Sequence, residues 1–273
     1  TVSQYWFLQA VITANKAVIN FARRFADLLE QEAEKVQDAD RRQELLTMAA
    51  NCRHVPAKPA ETFWQAVQTV WFIQLILQIE TNGHAISLGR FDQYLWPFFK
   101  NDLDKGVINR DRALEIVESF FIKANEINKL RSWGDTEFFP SYHLAENLAI
   151  GGQTADGEDA VNELTRVVLD ATADLKLTKP SVSLKWFEGT DDEFMDRALQ
   201  VVEQHKGGQP ALYNDLGVMR ILDNMGIAKE DQYNWAPVGC IEASIPGKWD
   251  FAAKGSWLNV GKVFEITLNN GTD

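Results

Sequence analysis

The sequence predicts an α/β protein in which parallel strands are covered by helices. Residues 1–130 carry helical periodicity, and over residues 145–273 short apolar strands alternate about four times with amphipathic helices. Neighbouring parallel strands need long crossovers, usually helices, so this alternation indicates a parallel sheet wrapped by helices. No linker, low-complexity tract or repeat interrupts the chain, and we expect one domain over residues 1–273.

The helical part begins with apolar residues spaced three and four apart between Val18 and Leu29, opposite a charged face. Pro56 and Pro59 mark a turn before the next predicted helix. That helix carries the most apolar run of the chain, residues 63–79, but four glutamines interrupt it, which favours a buried helix over a membrane span. A further helix is predicted over residues 111–128.

The alternating part is predicted from period-two and helical patterns. Val182, Leu184 and Trp186 alternate with polar neighbours, which is typical of a half-buried strand. The predicted strands cover residues 148–152, 181–187 and 211–213. Residues 237–242 are predicted as a strand or a strand end, and a short extended piece covers 85–88. The predicted helices cover residues 158–175, 191–205, 215–225 and 258–268.

The composition argues against several classes of partner and cofactor. The net charge is −12 and no run of Lys or Arg occurs, so we expect neither a nucleic-acid nor a membrane partner. The two cysteines, Cys52 and Cys240, form no disulfide framework, and the four histidines lack zinc-ligand spacing. We therefore expect no metal and no intrinsic organic cofactor, and a reducing cytoplasm as the compartment.

Residues 238–242 (VGCIE) carry the strongest chemical signal. If the segment is extended, Cys240 and Glu242 point to the same side while Ile241 packs on the other. Pro237 and Gly239 are typical of a strand that turns into a loop, and the carboxyl end of a barrel strand is where active sites usually lie. The pattern predicts a thiol and a carboxylate that share one cavity.

A thiol beside a carboxylate suits radical chemistry better than ionic chemistry. A nearby negative charge raises the pKa of a thiol and suppresses the thiolate. A thiyl radical removes a hydrogen atom from carbon without ionisation, and the carboxylate can carry a proton. On Cys-x-Glu alone, the alternative remains a buried structural cysteine beside an unrelated glutamate.

Nine short motifs follow one another across nearly the whole chain. They are NCRHVP at 51–56, TFWQA at 62–66, NGHAIS at 82–87, GRFDQY at 89–94, GGQT at 151–154, PSVS at 180–183, PALYND at 210–215, VGCIE at 238–242 and LNNG at 268–271. In this order they resemble the pyruvate formate-lyase-like glycyl radical enzymes, particularly their dehydratase and C–N lyase branch.

The resemblance implies a barrel of two opposed five-stranded parallel half-sheets surrounded by helices, of which this chain forms part. Cys240 would lie on a loop inside it, shielded from solvent, and carry the thiyl radical, while Glu242 acts as the base. His84 matches a position that helps bind or protonate substrate. A separate activating enzyme with S-adenosylmethionine and an iron–sulfur cluster would install the glycyl radical anaerobically, and the intact parent would form a homodimer.

Three departures from the family narrow these expectations. Pyruvate formate-lyases proper carry two adjacent catalytic cysteines, whereas Gly239 precedes Cys240 here. Diol dehydratases carry Gly-Trp-His-Asp downstream, whereas spacing puts Lys254 at the aspartate position, which suggests an anionic group on the substrate. The Arg-Val-x-Gly-aromatic motif is absent, so we expect a central segment that holds the site while the glycyl radical domain lies outside it.

Three functions remain open from the sequence. The first is a glycyl radical dehydratase acting on a small hydroxylated substrate. The second is a C–C lyase, formate acetyltransferase-like enzyme or decarboxylase of the same family, which a carboxylate-binding cation opposite Cys240 would favour. The third is a non-catalytic barrel fragment. Arg90 and Asp92 are further predicted to form a buried ion pair, and Cys52 to be structural.

Overall fold

The computed structural model describes residues 1–81, 85–130, 132–138, 145–206, 208–249 and 259–271. Its helices are α1 (Val2–Lys35), α2 (Ala39–His54), α3 (Phe63–Glu80), α4 (Phe91–Tyr94), α5 (Trp96–Asp104), α6 (Arg110–Glu126), α7 (Trp133–Phe138), α8 (Glu163–Leu175), α9 (Asp192–His205), α10 (Asp215–Asn224), α11 (Lys229–Gln232) and α12 (Val260–Leu268). Its strands are β1 (Gly89–Arg90), β2 (Asn147–Gly151), β3 (Ser181–Trp186), β4 (Ala211–Asn214), β5 (Ala236–Val238) and β6 (Glu242–Ser244).

Four of the strands form a parallel sheet in the order β1-β2-β3-β4. The register pairs Leu148 of β2 with Val182 of β3. Helix α8 connects β2 with β3, and α9 connects β3 with β4, as neighbouring parallel strands require. The predicted α/β class, with parallel strands covered by helices, is therefore confirmed.

The two faces of this sheet differ in polarity because side chains alternate along each strand. One face carries fully buried apolar side chains that pack against α8 and the helices around it: Leu148, Ile150, Val182 and Leu184. Burying each such side chain stabilises the fold by about 1.5–3 kcal/mol. The opposite face, called the inner face below, carries Arg90, Asn147, Ser183, Lys185 and Tyr213. The main apolar core thus lies on the helix side of the sheet, and the polar and charged side chains lie on the inner face.

The helical part forms a second, smaller apolar cluster. Helices α1 and α2 pack against each other, and small side chains such as Ala22 and Ala26 are fully buried there. Cys52 on α2 lies in this cluster beside Phe72 and is only 4% exposed. Its position agrees with the predicted structural role. Among the helices of the described segments, none combines the length and apolar character that a membrane crossing requires.

Helix α8 begins at Glu163, later than the predicted start at residue 158. Asn162 caps it: its side chain accepts from the amide of Thr165, and the Thr165 hydroxyl accepts from the amide of Asn162. Upstream, Gln153 and Asp159 form an isolated antiparallel bridge. Because the bridge holds residue 159 in an extended conformation, the helix starts only at the cap.

An antiparallel hairpin of β5 and β6 lies across the inner face of the sheet. Its register pairs Val238 with Glu242, and β5 packs against β1 and β2. Of the strand or strand end predicted over residues 237–242, only the strand end is present, because β5 stops at Val238 and β6 begins at Glu242. Gly239 adopts a positive φ of +63°, and the chain reverses direction in the turn that begins there.

Candidate active site

The turn between β5 and β6 carries the predicted catalytic pair. A Cβ atom at Gly239 would lie 2.6 Å from Oε2 of Glu242. That carboxylate oxygen accepts a hydrogen bond of 2.9 Å from the amide of Ile241. The turn therefore needs glycine at position 239 for two reasons: the positive φ, and the space that the folded-back Glu242 side chain occupies.

We expect Gly239→Ala to destabilise the chain by about 1–3 kcal/mol, because it combines a strained backbone angle with a collision against Glu242. Gly226→Ala is the matched control, since Gly226 also has a positive φ, +80°, but its added Cβ would meet nothing within 4 Å. Denaturant unfolding of both variants measures the difference. Equal losses of stability in the two variants would show that the positive φ alone sets the cost and that displacing the Glu242 side chain adds nothing measurable.

Cys240 and Ile241 lie on the outer side of the turn. The Cys240 thiol is exposed and unpaired, and Ile241 is 72% exposed, whereas Glu242 is half-buried. The prediction that Ile241 packs inward does not hold in this chain, and that the complete barrel shields the thiol stays a prediction. The physical reason is the turn, since residues at a chain reversal project outward rather than to alternate faces of a strand.

The turn is tied to the amino end of the sheet. Asn147, the first residue of β2, donates from Nδ2 to the carbonyl oxygen of Gly239 at 2.5 Å. Cys240 lies just after the carboxyl end of its own strand, β5, whereas the neighbour that holds the turn is the amino end of β2. The carbonyl of Trp235 lies near the other end, 3.0 Å from Nζ of Lys185 on β3, so the hairpin crosses the inner face between these two anchors.

Two hydrogen bonds lead from the turn to β2 and on to β3. Behind Asn147, Ser183 of β3 donates from Oγ to Oδ1 of Asn147 at 3.3 Å. Tyr213 of β4 lies on the same face, and an interaction with the Ser183 hydroxyl opposes the rise in its pKa. These three neutral side chains share the inner face because strand register brings alternate residues of β2, β3 and β4 to the same side.

Tyr213 of β4 lies on the inner face of the sheet, on which the hairpin packs. Its ring packs edge-on against Trp235, with centroids 5.9 Å apart. Burial raises the pKa of Tyr213, the interaction with Ser183 opposes that rise, and the negative charges of Glu242 and Cys240 raise the pKa further. The phenol therefore stays protonated at neutral pH, and Cys240 and Glu242 meet in its neighbourhood.

Buried charges hold the base of the hairpin. Lys185 and Asp215 are fully buried, with Nζ 3.3 Å from Oδ1. Lys185 donates to the carbonyl oxygens of Tyr233 and Trp235, each at 3.0 Å. Asp215 also accepts from the indole nitrogen of Trp235 at 2.5 Å and from Gln153. Ammonium and carboxylate thus fix the segment that leads into β5.

Burial and the Arg90 charge lower the pKa of Lys185 to about 7, although Asp215 opposes the shift. The unfolded chain, whose lysines have pKa values near 10.4, therefore binds more protons than the folded chain between pH 7 and 10. We expect the free energy of unfolding of the wild type to fall, relative to Lys185→Met, as pH decreases from 10 to 7, by up to about 1.4 kcal/mol per pH unit. Denaturant unfolding across that range measures it, with exposed Lys229→Met as control. Parallel curves for wild type and Lys185→Met would contradict the lowered pKa.

Arg90 and Asp92 are both buried but do not pair directly, so that prediction is wrong. Arg90 donates from Nη2 to the carbonyl oxygen of Gly151 and from Nη1 to that of Tyr233, each at 2.8 Å. Asp92 accepts from the amide of Gly151 at 2.8 Å and from the hydroxyl of Thr165 at 2.6 Å. The two side chains therefore bind the same residue, Gly151, through opposite ends of its main chain.

Two predicted site residues, His84 and Lys254, lie outside the described residues. The structure adds Asn147, Ser183 and Tyr213 to the neighbourhood of the turn, and Lys185 with Asp215 behind it. One sequence signal could have indicated them. Polar residues occupy alternate positions of the strand at 181–186, so the sequence indicated that one face of the sheet is polar. It did not indicate which other residues contact that face.

Comparisons with known proteins show the family to which the chain belongs. The family model described as pyruvate formate lyase-like matches residues 1–273. The probable dehydratase YbiW of Escherichia coli is 39% identical over 272 residues, which cover 98% of this chain and 34% of that protein. The (2S)-3-sulfopropanediol dehydratase of Klebsiella oxytoca is 34% identical, with 97% and 32% covered.

Solved structures show the same similarity. A Roseburia inulinivorans structure, described for 1,2-propanediol dehydration, superposes with a TM-score of 0.88 at 40% identity. The match covers 98% of this chain and 33% of that one. This chain thus spans about a third of the length of the relatives it matches.

Proposed function

The chain belongs to the pyruvate formate lyase-like family of glycyl radical enzymes, in its dehydratase branch, and from this we propose that its parent protein eliminates water, or another leaving group, from a small hydroxylated substrate. The observation that carries the proposal is the turn of the β5–β6 hairpin. It holds one thiol, Cys240, and one carboxylate, Glu242, two residues apart in a single tight turn.

In this proposal Cys240 carries a hydrogen atom. A glycyl radical stored elsewhere in the parent supplies the oxidising equivalent, by taking the thiol hydrogen. The thiyl sulfur then abstracts a hydrogen atom from the substrate carbon that bears a hydroxyl, breaking C–H and forming S–H. Cys240 is a free cysteine at the turn, so its thiol is available to carry the hydrogen atom.

Glu242 carries the proton. Removing a hydrogen atom from the carbinol carbon makes its hydroxyl acidic, and the carboxylate takes that proton. The electron pair left on oxygen forms the carbonyl, and the neighbouring carbon–oxygen bond breaks, so that the second hydroxyl leaves as water once protonated. The product radical retrieves the hydrogen atom from Cys240. Because Oε2 of Glu242 accepts from Ile241, we assign the substrate proton to Oε1.

Several finer features of the parent belong to the same proposal. Two opposed five-stranded half-sheets would enclose the turn, and the parallel sheet of β1 to β4 supports one of them. A separate radical S-adenosylmethionine enzyme would install the glycyl radical, and the parent would act as a homodimer in a reducing cytoplasm, where its free cysteines persist. His84 would protonate the departing hydroxyl, and Lys254 would contact the substrate.

The other reactions of the family find less support in the described residues. Acyl transfer needs two neighbouring thiols, and Gly239 takes the place of one. Decarboxylation calls for a cation opposite the thiol, but Lys185 and Arg90 point at main-chain carbonyl oxygens instead. Elimination needs one group that carries a hydrogen atom and one that carries a proton, and the turn supplies them as Cys240 and Glu242.

An anaerobic assay of the activated full-length protein tests the proposal. It would be offered diols, hydroxylated acids, and pyruvate with coenzyme A, and the products would be identified by mass spectrometry. We expect a carbonyl product from at least one hydroxylated compound and no formate from pyruvate. Formate production without any elimination would contradict the proposal, and complete inactivity after confirmed radical formation would favour a non-catalytic role.

A further inference from the structure

The two peptide groups on either side of Cys240 are each held by a side chain. The carbonyl oxygen of Gly239 belongs to the peptide group that precedes the α-carbon of Cys240, and it accepts from Nδ2 of Asn147 at 2.5 Å. The amide of Ile241 belongs to the peptide group that follows this α-carbon, and it donates to Oε2 of Glu242 at 2.9 Å. Because each peptide group is planar, one hydrogen bond to each of them limits rotation about both main-chain bonds of Cys240. Packing adds little, since Cys240 and Ile241 are exposed.

Asn147 is itself held at its main chain and at its side chain. Its main-chain amide donates to Oγ of Ser87 at 3.2 Å, and its carbonyl oxygen accepts from the amide of Leu88 at 2.6 Å. Its side-chain Oδ1 accepts from Oγ of Ser183 at 3.3 Å, and the residue is only 3% exposed. Asn147 therefore has little freedom to follow a movement of the turn, and it acts as the fixed end of the contact with Gly239.

The hydrogen-bond partners determine which way the side-chain amide of Asn147 faces. The carbonyl oxygen of Gly239 can only accept, so it requires the NH2 group. If the amide were turned over, Oδ1 would meet that carbonyl oxygen, and two acceptors would face each other. The Ser183 hydroxyl donates to Oδ1 in the observed orientation, which favours the same arrangement. A carboxylate at position 147 would have the same shape but no proton to donate.

One rotation remains for the thiol of Cys240. With both neighbouring peptide groups held, the sulfur moves by rotation about the Cα–Cβ bond, among the three staggered positions of χ1. In the proposed elimination the sulfur meets three carbon atoms in turn: the glycyl carbon, the substrate carbon and the carbon of the product radical. Rotation about a fixed α-carbon keeps the sulfur within reach of all three, whereas a loose turn would let the reacting distances vary.

We propose that Asn147 is a positioning residue for Cys240, which fixes the peptide group in front of the cysteine so that the sulfur reaches the carbon from which it takes hydrogen. The inference rests on the proposed elimination reaction and adds to it a residue that acts through the main chain of the turn. Since Asn147 acts on the sulfur, its loss should slow hydrogen transfer and leave substrate binding nearly unchanged.

Asn147→Asp in the activated full-length protein tests the bond with the least change of shape. The carboxylate keeps an acceptor for the Ser183 hydroxyl but turns a second acceptor toward the carbonyl oxygen of Gly239. We expect kcat for propane-1,2-diol to fall roughly 10²-fold, the loss that a displacement of about 1 Å can cause, with KM within about threefold. Asn147→Ala removes the donor without adding a charge and should lower kcat at least about tenfold. Each rate is divided by the glycyl radical content, measured by electron paramagnetic resonance.

The deuterium isotope effect distinguishes positioning from folding. With deuterium on C1 of the diol, a displaced sulfur makes hydrogen transfer the slowest step, so the isotope effect on kcat should rise above the wild-type value in both variants. A variant that only folds less completely contains fewer active molecules, so its kcat falls in proportion to its folded fraction and its isotope effect stays that of the wild type.

Asn162→Ala is the matched control. It removes an Nδ2 hydrogen bond of 3.1 Å to another carbonyl oxygen, that of Asp92, together with the cap of α8. We expect this variant to be less stable than the wild type, with kcat per radical and the isotope effect unchanged.

The outcomes separate this inference from the proposed function. Elimination by the wild type, with kcat of Asn147→Asp unchanged or lowered only in proportion to its folded fraction, overturns the inference and leaves the function intact. If no elimination occurs at all, the function fails, and hydrogen exchange of the unactivated full-length protein, resolved to the peptide that contains residues 239–241, decides the inference. Faster exchange there in Asn147→Ala but not in Asn162→Ala supports it. Exchange equal to that of the wild type, or raised alike in both variants, overturns it.

Discussion

Cys240→Ala in the activated full-length protein lowers turnover by at least about 10⁴-fold, because no other group at the turn can carry the hydrogen atom. The substitution removes only a sulfur atom from an exposed turn position, so the fold and substrate binding should persist. Steady-state turnover, together with substrate titration of the unactivated protein, measures the two properties separately.

Cys52→Ala is the matched control, because it removes the second thiol of the chain. Cys52 is buried beside Phe72, and burial raises its pKa to about 11, so it is an unreactive packing residue. We expect a loss of stability of about 1 kcal/mol with turnover retained. Normal turnover by Cys240→Ala, or its loss in Cys52→Ala at full folding, would end the assignment of the radical to Cys240.

Glu242→Gln lowers kcat by about 10²–10⁴-fold, the usual contribution of a general base, with KM changed only slightly. Glutamine keeps the shape of the side chain, and its amide oxygen can still accept from the amide of Ile241 as the carboxylate does. The turn should therefore survive while the proton acceptor is lost.

Glu203→Gln, at an exposed position of α9, makes the same chemical change away from the site and should leave kcat unaltered. The rates of both variants should be followed from pH 5 to 9. A Glu242→Gln enzyme with wild-type kcat and only a raised KM would show that the carboxylate binds substrate without accepting its proton.

The fold was largely predictable because its signals are local. Val182 and Leu184 alternate with polar residues along one strand, and the helix that follows it was placed to within a residue at its start. The start of α8 was missed because Gln153 and Asp159 bridge outside any regular pattern. Tertiary contacts of this kind override the local periodicity that predicts a helix.

The candidate site was predictable in its residue types but not in its geometry. Cys240 and Glu242 stand out in the sequence, but a five-residue window does not distinguish an extended strand from a tight hairpin. The decisive feature is the positive φ of Gly239. Glycine adopts positive and negative φ about equally readily, so its presence alone does not predict a turn. Asn147 and Ser183 are separated from the turn by many residues, so only the folded sheet reveals that they support it.

The most direct test of the central claim, that Cys240 removes a hydrogen atom from a hydroxylated carbon, is isotope transfer. The activated full-length protein would be given propane-1,2-diol with two deuterium atoms on C1, and the product analysed by mass spectrometry and NMR. The mechanism predicts propanal with one deuterium left on C1 and the other moved to C2 through the thiol of Cys240. Propanal that keeps both deuterium atoms on one carbon would contradict it.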